Sequence, residues 1–175
     1  MHMIDELKDA KRMSKSQSAL KVVFTESRIE DSQEPELAVE ELIGLATEVL
    51  KEEGLVNKSI ELTIHFIDEE AMAELNVEYM GGTGATDVLA FPLDDPKDFS
   101  DGELLLLGDV LICPKVAQRQ ATQHPYETEI SLLLVHGILH LLGYDHAEQE
   151  ERQIMENRQK DILAKHGLDK NDAAN

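Results

Sequence analysis

The chain has 175 residues, of which 42% are hydrophobic, so its length suits one domain with a sizeable core better than two domains. Its 36 acidic and 16 basic side chains give a formal net charge of −20, which argues against tight nonspecific binding of a nucleic acid. A local basic or metal-lined cleft is still compatible with this total. No apolar run approaches the roughly 20 residues that span a bilayer, and a signal-peptide pattern is lacking. With one cysteine, an internal disulfide is excluded, and we expect a soluble cytoplasmic protein.

Short runs with period two and longer runs with helical spacing alternate along the chain, which predicts a mixture of strands and helices. In chain order we expect a strand at 20–24, a helix at 35–53, a strand at 60–66, a helix at 69–79, strands at 87–91 and 104–112, and helices at 114–123, 127–142 and 147–165. The clearest strand is the third of these elements, because its apolar and polar residues alternate strictly. The domain is expected to cover residues 20–166, between a flexible extension at 1–19 and a polar tail at 167–175.

Several residues predict where these elements begin and end. We expect Pro35 to open the first helix and Gly54 to end it. Asp68 is predicted to cap the second helix, because an aspartate oxygen accepts hydrogen bonds from free amides of the first turn. Pro92 is expected to stop the third strand, and the pair Gly108-Asp109 is expected to interrupt the fourth.

Three histidines lie within eleven residues, and their spacing suits one metal ion. His136 and His140 are one helical turn apart on the same face, so both rings can reach one ion. Gly143 can take the left-handed conformation that closes a helix, so the chain can turn back and deliver His146. Three neutral imidazoles with a fourth position left to water are the usual design of a catalytic zinc site, with Zn–N distances of roughly 2.0–2.1 Å. The pattern predicts an open metal site.

Other patterns in the chain do not indicate a site. The remaining histidines are isolated, and surface or strand positions account for them; they are His2, His65, His124 and His166. The glycine-rich segment 81–84 lacks the following Lys and Ser or Thr of a phosphate-binding loop, so we interpret it as a turn. Gly137 stands where a His-Glu-x-x-His metallopeptidase has its glutamate base, which disfavours that class of enzyme.

The segment from His136 to His146 resembles the signature of the YbeY-type endoribonuclease family, whose members take part in ribosomal RNA maturation. Upstream residues match in the same order and spacing, and the resemblance extends from about residue 20 to residue 165. These upstream matches are Leu75-Asn76, Tyr79, Thr86-Asp87-Val88-Leu89 with Phe91-Pro92, and Leu107-Gly108-Asp109.

The resemblance implies an α/β (α+β) fold in which about five helices pack on a mixed four-stranded sheet in a single domain. It implies one Zn²⁺ ion held by His136, His140 and His146, with other divalent metals as alternatives. It also implies a single-strand-specific endoribonuclease acting in ribosomal RNA (16S 3′ end) maturation and ribosome quality control. The implied partners are ribosomal RNA and the ribosomal particle, with no membrane. No motif specifies an oligomeric state.

Two aspartates are candidate catalytic residues. Asp145, beside the ligand His146, would orient a ligand or act as a base; the alternative is a cap for the helix from residue 147. Asp87 lies in a strand-like run, where burying a carboxylate is costly without a partner, and the same holds for Asp109. Their alternative role is to stabilise a turn or bulge. Thr86 and Asn76 are candidates for hydrogen bonds to backbone near the site, and structural roles suit them at least as well.

One position departs from the family pattern. Many family members have arginine directly after the aromatic residue that corresponds to Tyr79, whereas this chain has Met80, which supplies no cation. Either another basic residue substitutes, or this branch cleaves RNA slowly or differently. The departure and the acidic charge keep two other functions open: a noncatalytic ribosome-assembly factor with a structural metal, and a metallohydrolase of another substrate class.

Overall fold

The structure is a computed structural model that describes residues 19–29, 33–100 and 102–168. The strands are β1 (Leu20–Glu26), β2 (Ser59–Phe66), β3 (Val88–Pro92) and β4 (Leu104–Ile112). The helices are α1 (Val39–Glu52), α2 (Glu69–Met80), α3 (Pro114–Gln120), α4 (Tyr126–Leu141) and α5 (Gln149–Lys165), with a 3₁₀ turn at Pro96–Asp98. The predictions of a flexible extension and a polar tail fall almost entirely on residues 1–18 and 169–175, which lie outside the described residues.

The four strands form one mixed sheet in the order β1-β2-β4-β3. β1 pairs with β2 in parallel and β2 pairs with β4 in parallel, whereas β3 runs antiparallel to β4. Parallel neighbouring strands need a crossover connection, which is usually a helix, and α1 supplies it between β1 and β2. The predicted fold class, with five helices on a mixed four-stranded sheet, is confirmed.

The two faces of the sheet are covered by different helices. Alternate residues of β2 enter the main core together with the apolar sides of α1 and α4, and α5 adds its few buried residues to the same cluster. The opposite face carries a smaller cluster in which α2 contributes Met72 and α3 contributes Val116. This arrangement leaves α4 between the sheet and α5. Because it is covered on both sides, its residues are largely apolar, as its sequence shows.

A bulge in β4 decides which side chains face α4. One extra residue, Leu107, is inserted opposite the Glu61–Leu62 step of β2. Gly108 follows with a φ of 143°, and a Cβ there would lie 2.3 Å from a carbonyl oxygen of β3. The predicted interruption at Gly108-Asp109 takes the form of this bulge, which breaks the register with β2 while β4 continues to Ile112. The bulge also shifts the alternation, so Val110 enters the main core and Asp109 faces the other side.

Some element boundaries differ from the prediction. α1 begins at Val39 rather than at Pro35, because Leu37 packs against the core before the carbonyl of Ala38 accepts the first helical bonds. Pro92 is the last residue of β3 rather than its stop; β3 is an edge strand, where a missing N–H is tolerated. The predicted cap is confirmed, since Asp68 accepts a hydrogen bond of 2.9 Å from the amide of Ala71.

The helices of the described region are also informative about membranes. None of them combines enough length with enough apolar character to cross a bilayer.

Candidate metal centre

The first two histidines lie at the C-terminal end of α4, where the helix packs tightly on the sheet. His136 and His140 are one turn apart, as their spacing predicts. Gly137 lies between them on the sheet side, and a Cβ there would come within 2.6 Å of Cγ1 of Val110. The absence of a side chain at residue 137 therefore has a packing reason, because it lets the histidine-bearing turn approach β4 closely.

The third histidine is delivered by a Schellman motif that ends α4. Gly143 has a φ of 96°, its amide donates to the carbonyl of His140, and the amide of Tyr144 donates to the carbonyl of Leu139. The hydroxyl of Tyr144 donates a hydrogen bond of 2.9 Å to Glu53. The predicted glycine stop is confirmed, and it turns the chain so that the next residues return towards the helix.

The three imidazoles converge on one point. One nitrogen of each ring, from His136, His140 and His146, lies within 4.8 Å of the other two. Nε2 of His136 and Nε2 of His140 are 3.1 Å apart. Two ligands of a tetrahedral zinc ion with bonds of about 2.0–2.1 Å stand about 3.3 Å apart, so this pair is close to a coordinating separation. The predicted histidines are therefore brought together, and the group can bind a metal.

A residue that the sequence analysis missed fixes one of these rings. Gln159 on α5 places its amide oxygen 2.9 Å from Nδ1 of His136. An amide oxygen accepts only, so Nδ1 carries the proton and Nε2 presents its lone pair to the centre. The only sequence signal is that α5 follows the motif directly, since nothing in the spacing of 23 residues points to this contact.

The surroundings favour a neutral ring at His140. Burial lowers its pKa below the ordinary value, and the neighbouring imidazoles of His136 and His146 lower it further. The carboxylate of Asp145 and a hydrogen bond to the backbone of Tyr144 act in the opposite direction but do not reverse the shift. Because a histidine must be deprotonated to bind a metal, this environment prepares the ligand.

The centre opens into a pocket of about 380 Å³ between the histidines and α5. His146 is exposed, whereas the other two histidines are half-buried, so the open side of the centre is the side of the third ring. The pocket is lined by His136, His146, Arg152, Met155, Glu156 and Gln159.

Neither candidate catalytic aspartate belongs to the histidine cluster. Asp145 is exposed, and its Oδ1 accepts a hydrogen bond of 2.7 Å from the amide of His146. The suggested role as a cap for the next helix was wrong, because α5 begins only at Gln149 with Glu148 at its N-cap. Asp87 accepts a hydrogen bond of 2.8 Å from the amide of Val88 at the start of β3.

Two further candidates lie in structural positions. Asp109 accepts a hydrogen bond of 2.8 Å from Nε2 of His65, on the sheet face opposite α4, so it does not face the histidine cluster. Asn76 donates a hydrogen bond of 2.9 Å to the carbonyl of Gly84 and thereby holds the turn after α2. The structural interpretation of Asn76 is the one that the contacts support.

The remaining histidines of the described chain each pair with a carboxylate. His65 lies on a strand as expected and pairs with Asp109. Nε2 of His166 is 3.1 Å from Oε1 of Glu52. His124 departs from the expectation of a surface position, because its side chain is only 8% exposed and pairs with the buried Glu129. His2 lies outside the described residues.

Comparison with known proteins identifies the family. A family model described as Endoribonuclease YbeY matches residues 25–167. The chain belongs to this family. The sequence resemblance to the family is thereby confirmed over most of the domain.

Individual relatives agree with this family. The chain is 50% identical over 117 residues to the endoribonuclease YbeY of Frankia casuarinae, covering 62% of this chain and 58% of that protein. It is 51% identical over 117 residues to that of Frankia alni, covering 62% and 65%. The aligned region thus spans less than two thirds of either relative. For the YbeY of a Parafrankia species, the identity is 44% over 150 residues, covering 81% of this chain and 91% of the relative.

One solved structure has a similar fold. The solution structure of TM1509 from Thermotoga maritima matches with a TM-score of 0.50 at 24% identity, covering 82% of this chain and 90% of that one. This likeness concerns the fold, and it agrees with the mixed sheet and helices described above.

Proposed function

We propose that the chain is a single-strand-specific, metal-dependent endoribonuclease that acts in ribosomal RNA maturation at the 16S 3′ end and in ribosome quality control. The observation that carries the proposal is the convergence of three imidazole nitrogens beside an open pocket in a member of this family. Two relatives at 50% and 51% identity bear the name endoribonuclease, which supports the same reaction class.

The residues fit a single Zn²⁺ ion, although other divalent metals suit three imidazoles as well. His136, His140 and His146 would hold the ion, and no carboxylate or thiol of the described chain joins their cluster as a fourth ligand. That donor set is typical of a catalytic site rather than a closed structural one. When bound, such an ion lowers the pKa of a coordinated water towards about 7 and polarises a phosphoryl oxygen.

The chain's own residues orient the ligands and provide a proton acceptor. Gln159 fixes the tautomer of His136, and the bond from Tyr144 to Glu53 anchors the loop before His146. Asp145 uses Oδ1 to hold the loop, and its Oδ2 has no hydrogen-bond partner in the described part of the chain. We propose that this free oxygen accepts a proton during cleavage.

Asp87 is the second proposed acid–base residue, and two variants separate it from Asp145. Asp145→Asn should lower the cleavage rate while the fold is retained. Asp87→Asn retains the Oδ1 acceptor for the amide of Val88, so a loss of cleavage without a loss of stability would support a catalytic role. A loss of stability with no separate catalytic defect would assign Asp87 to the start of β3.

Ribosomal RNA and the ribosomal particle are the proposed partners, and the cytoplasm is the proposed place of action. A net charge of −20 disfavours general adhesion to RNA, so recognition has to be local. Contacts with the ribosomal particle would supply the affinity for the substrate that the negatively charged protein lacks for free RNA.

A noncatalytic assembly factor with a structural metal is the second candidate. The observation that favours it is the contact of Gln159 with His136, because an ion held there would tie α4 and α5 together. Removing the metal with a chelator separates the two functions. Lost RNA cleavage with unchanged circular dichroism and melting temperature supports the enzyme, whereas unfolding on chelation supports a structural metal.

A further inference from the structure

Arg152 lies at the mouth of the histidine pocket. It is on the first turn of α5, it is exposed, and it lines the pocket together with His136 and His146. Its Nη2 donates to the backbone carbonyl of His146 at 3.4 Å, a long contact that leaves most donors of the guanidinium unused. The pocket therefore combines two of the three metal-type ligands with one cation.

Arg152 differs from the other described arginines in having no carboxylate partner. Arg28 pairs with Glu26 and Glu34, Arg119 pairs with Glu69, and Arg158 pairs with Glu53. Within residues 19–29, 33–100 and 102–168, no carboxylate oxygen lies within 4.0 Å of the Arg152 guanidinium. Its charge is thus available to a ligand.

The helix holds this arginine in a defined place. Arg152, Glu156 and Gln159 are spaced by one turn each along α5, so they share the face that lines the pocket. Gln159 attaches one end of this face to His136, and the buried Met155 seats the helix on the core. Arg152 lies seven residues before Gln159, or about 10 Å along the axis, at the outer end of the pocket.

We propose that Arg152 binds a backbone phosphate of the RNA next to the three-histidine centre. The planar guanidinium donates two parallel hydrogen bonds to phosphate oxygens, a geometry that lysine does not reproduce. Glu156, one turn away in the same pocket, opposes this binding by its charge. The inference rests on the proposed endoribonuclease function, because it takes RNA as the ligand.

The test is the salt dependence of RNA binding. Metal-loaded protein is titrated into a labelled single-stranded 2′-O-methyl RNA, which is checked on a gel to be intact, and fluorescence anisotropy is recorded at several salt concentrations. Arg152→Gln should weaken binding about tenfold and reduce the steepness of log K against log salt by about 0.7, the contribution of one phosphate contact on a single strand. Glu156→Gln should strengthen binding.

Two control variants make the result specific. Arg119→Gln removes the same charge from an exposed arginine that pairs with Glu69 on α2, so it should leave the salt slope unchanged. Arg152→Lys keeps the positive charge, so the slope of log K against log salt should stay the same. Its affinity for RNA should fall in part. Equal effects of Arg152→Gln and Arg119→Gln would overturn the proposal. An Arg152→Gln variant that binds RNA as tightly as the wild type would overturn it too.

Cleavage of an unmodified RNA by the same preparations separates this inference from the proposed function. If the wild type cleaves RNA and Arg152→Gln binds and cleaves equally well, the inference fails while the function stands. If the wild type does not cleave but its binding depends on Arg152, the proposed nuclease function fails and the phosphate contact stands. If the wild type binds no RNA, the inference is overturned.

Discussion

The amide oxygen of Gln159 lies 2.9 Å from Nδ1 of His136, and this contact links α5 to the ligand-bearing end of α4. It fixes the ring's tautomer and orientation before any metal arrives. A hydrogen-bond partner of this kind orients the ligand and raises its basicity, and it thereby strengthens metal binding.

Replacing Gln159 with leucine should weaken metal binding. Gln159→Leu removes the acceptor that holds His136, and losses of about 10–100-fold in metal affinity are typical for such contacts. The dissociation constant for Zn²⁺, measured by competition with a chelating dye, checks this expectation. Gln159→Glu keeps an acceptor oxygen and should retain most of the affinity. Equal affinities for the leucine variant and the wild type would mean that the contact does not position the ligand.

Adding a methyl group at Gly137 should destabilise the protein. Gly137→Ala would place a Cβ 2.6 Å from Cγ1 of Val110, and overpacking of this kind costs about 1–3 kcal/mol. Gly44→Ala is the matched control, because Gly44 lies in α1 with open space around it and should gain about 0.5–1 kcal/mol. Urea unfolding of the metal-free proteins measures both.

The contact itself is tested by a double-mutant cycle. In a Val110→Ala background, the cost of Gly137→Ala should shrink, because the crowded methyl groups are gone. If Gly137→Ala is as stable as Gly44→Ala, the packing account of Gly137 is wrong.

The sequence predicted what depends on local spacing. His136, His140 and His146 are set by one helical turn and one glycine stop, both of which are visible in the chain. Gln159 was not predictable, because its contact depends on how α5 folds back on α4. An irregularity at Gly108-Asp109 was predicted, but its form as a bulge at Leu107 was not, because that depends on the register with β2. That register is why Asp109, which shares a strand with Val110, faces away from the histidines.

The stability of the metal-free protein should fall in mild acid, partly through His140. Burial and two neighbouring imidazoles lower the pKa of His140 in the folded state, so the unfolded chain binds this proton more readily. Above the ordinary histidine pKa of about 6.5, His140 is neutral in both states and does not change the free energy of unfolding. As the pH drops from there towards the lowered pKa, protonation of the unfolded chain reduces the free energy of unfolding. Unfolding in urea between pH 8 and pH 5 should show a smaller loss for His140→Asn than for the wild type. Parallel losses would contradict the assignment.

Introducing a cation at Met80 should raise RNA cleavage. Met80 ends α2 and is 53% exposed, so arginine fits there without disturbing the core. Met80→Arg is expected to raise the cleavage rate about tenfold, the effect of one hydrogen bond to a charged group in the transition state. Val77→Arg, on the same helix at 57% exposure, adds the same charge elsewhere. No gain at Met80, or an equal gain at both positions, would show that a cation at residue 80 has no specific effect.

Whether the three-histidine centre cleaves RNA is tested by incubating a short single-stranded RNA with the metal-loaded protein. The wild type is compared with the His136→Ala, His140→Ala double variant, purified identically so that a contaminating nuclease would appear in both. We predict cleavage by the wild type and an intact RNA with the double variant. Equal cleavage by both proteins, or none by either, would contradict the account and favour a noncatalytic role in ribosome assembly.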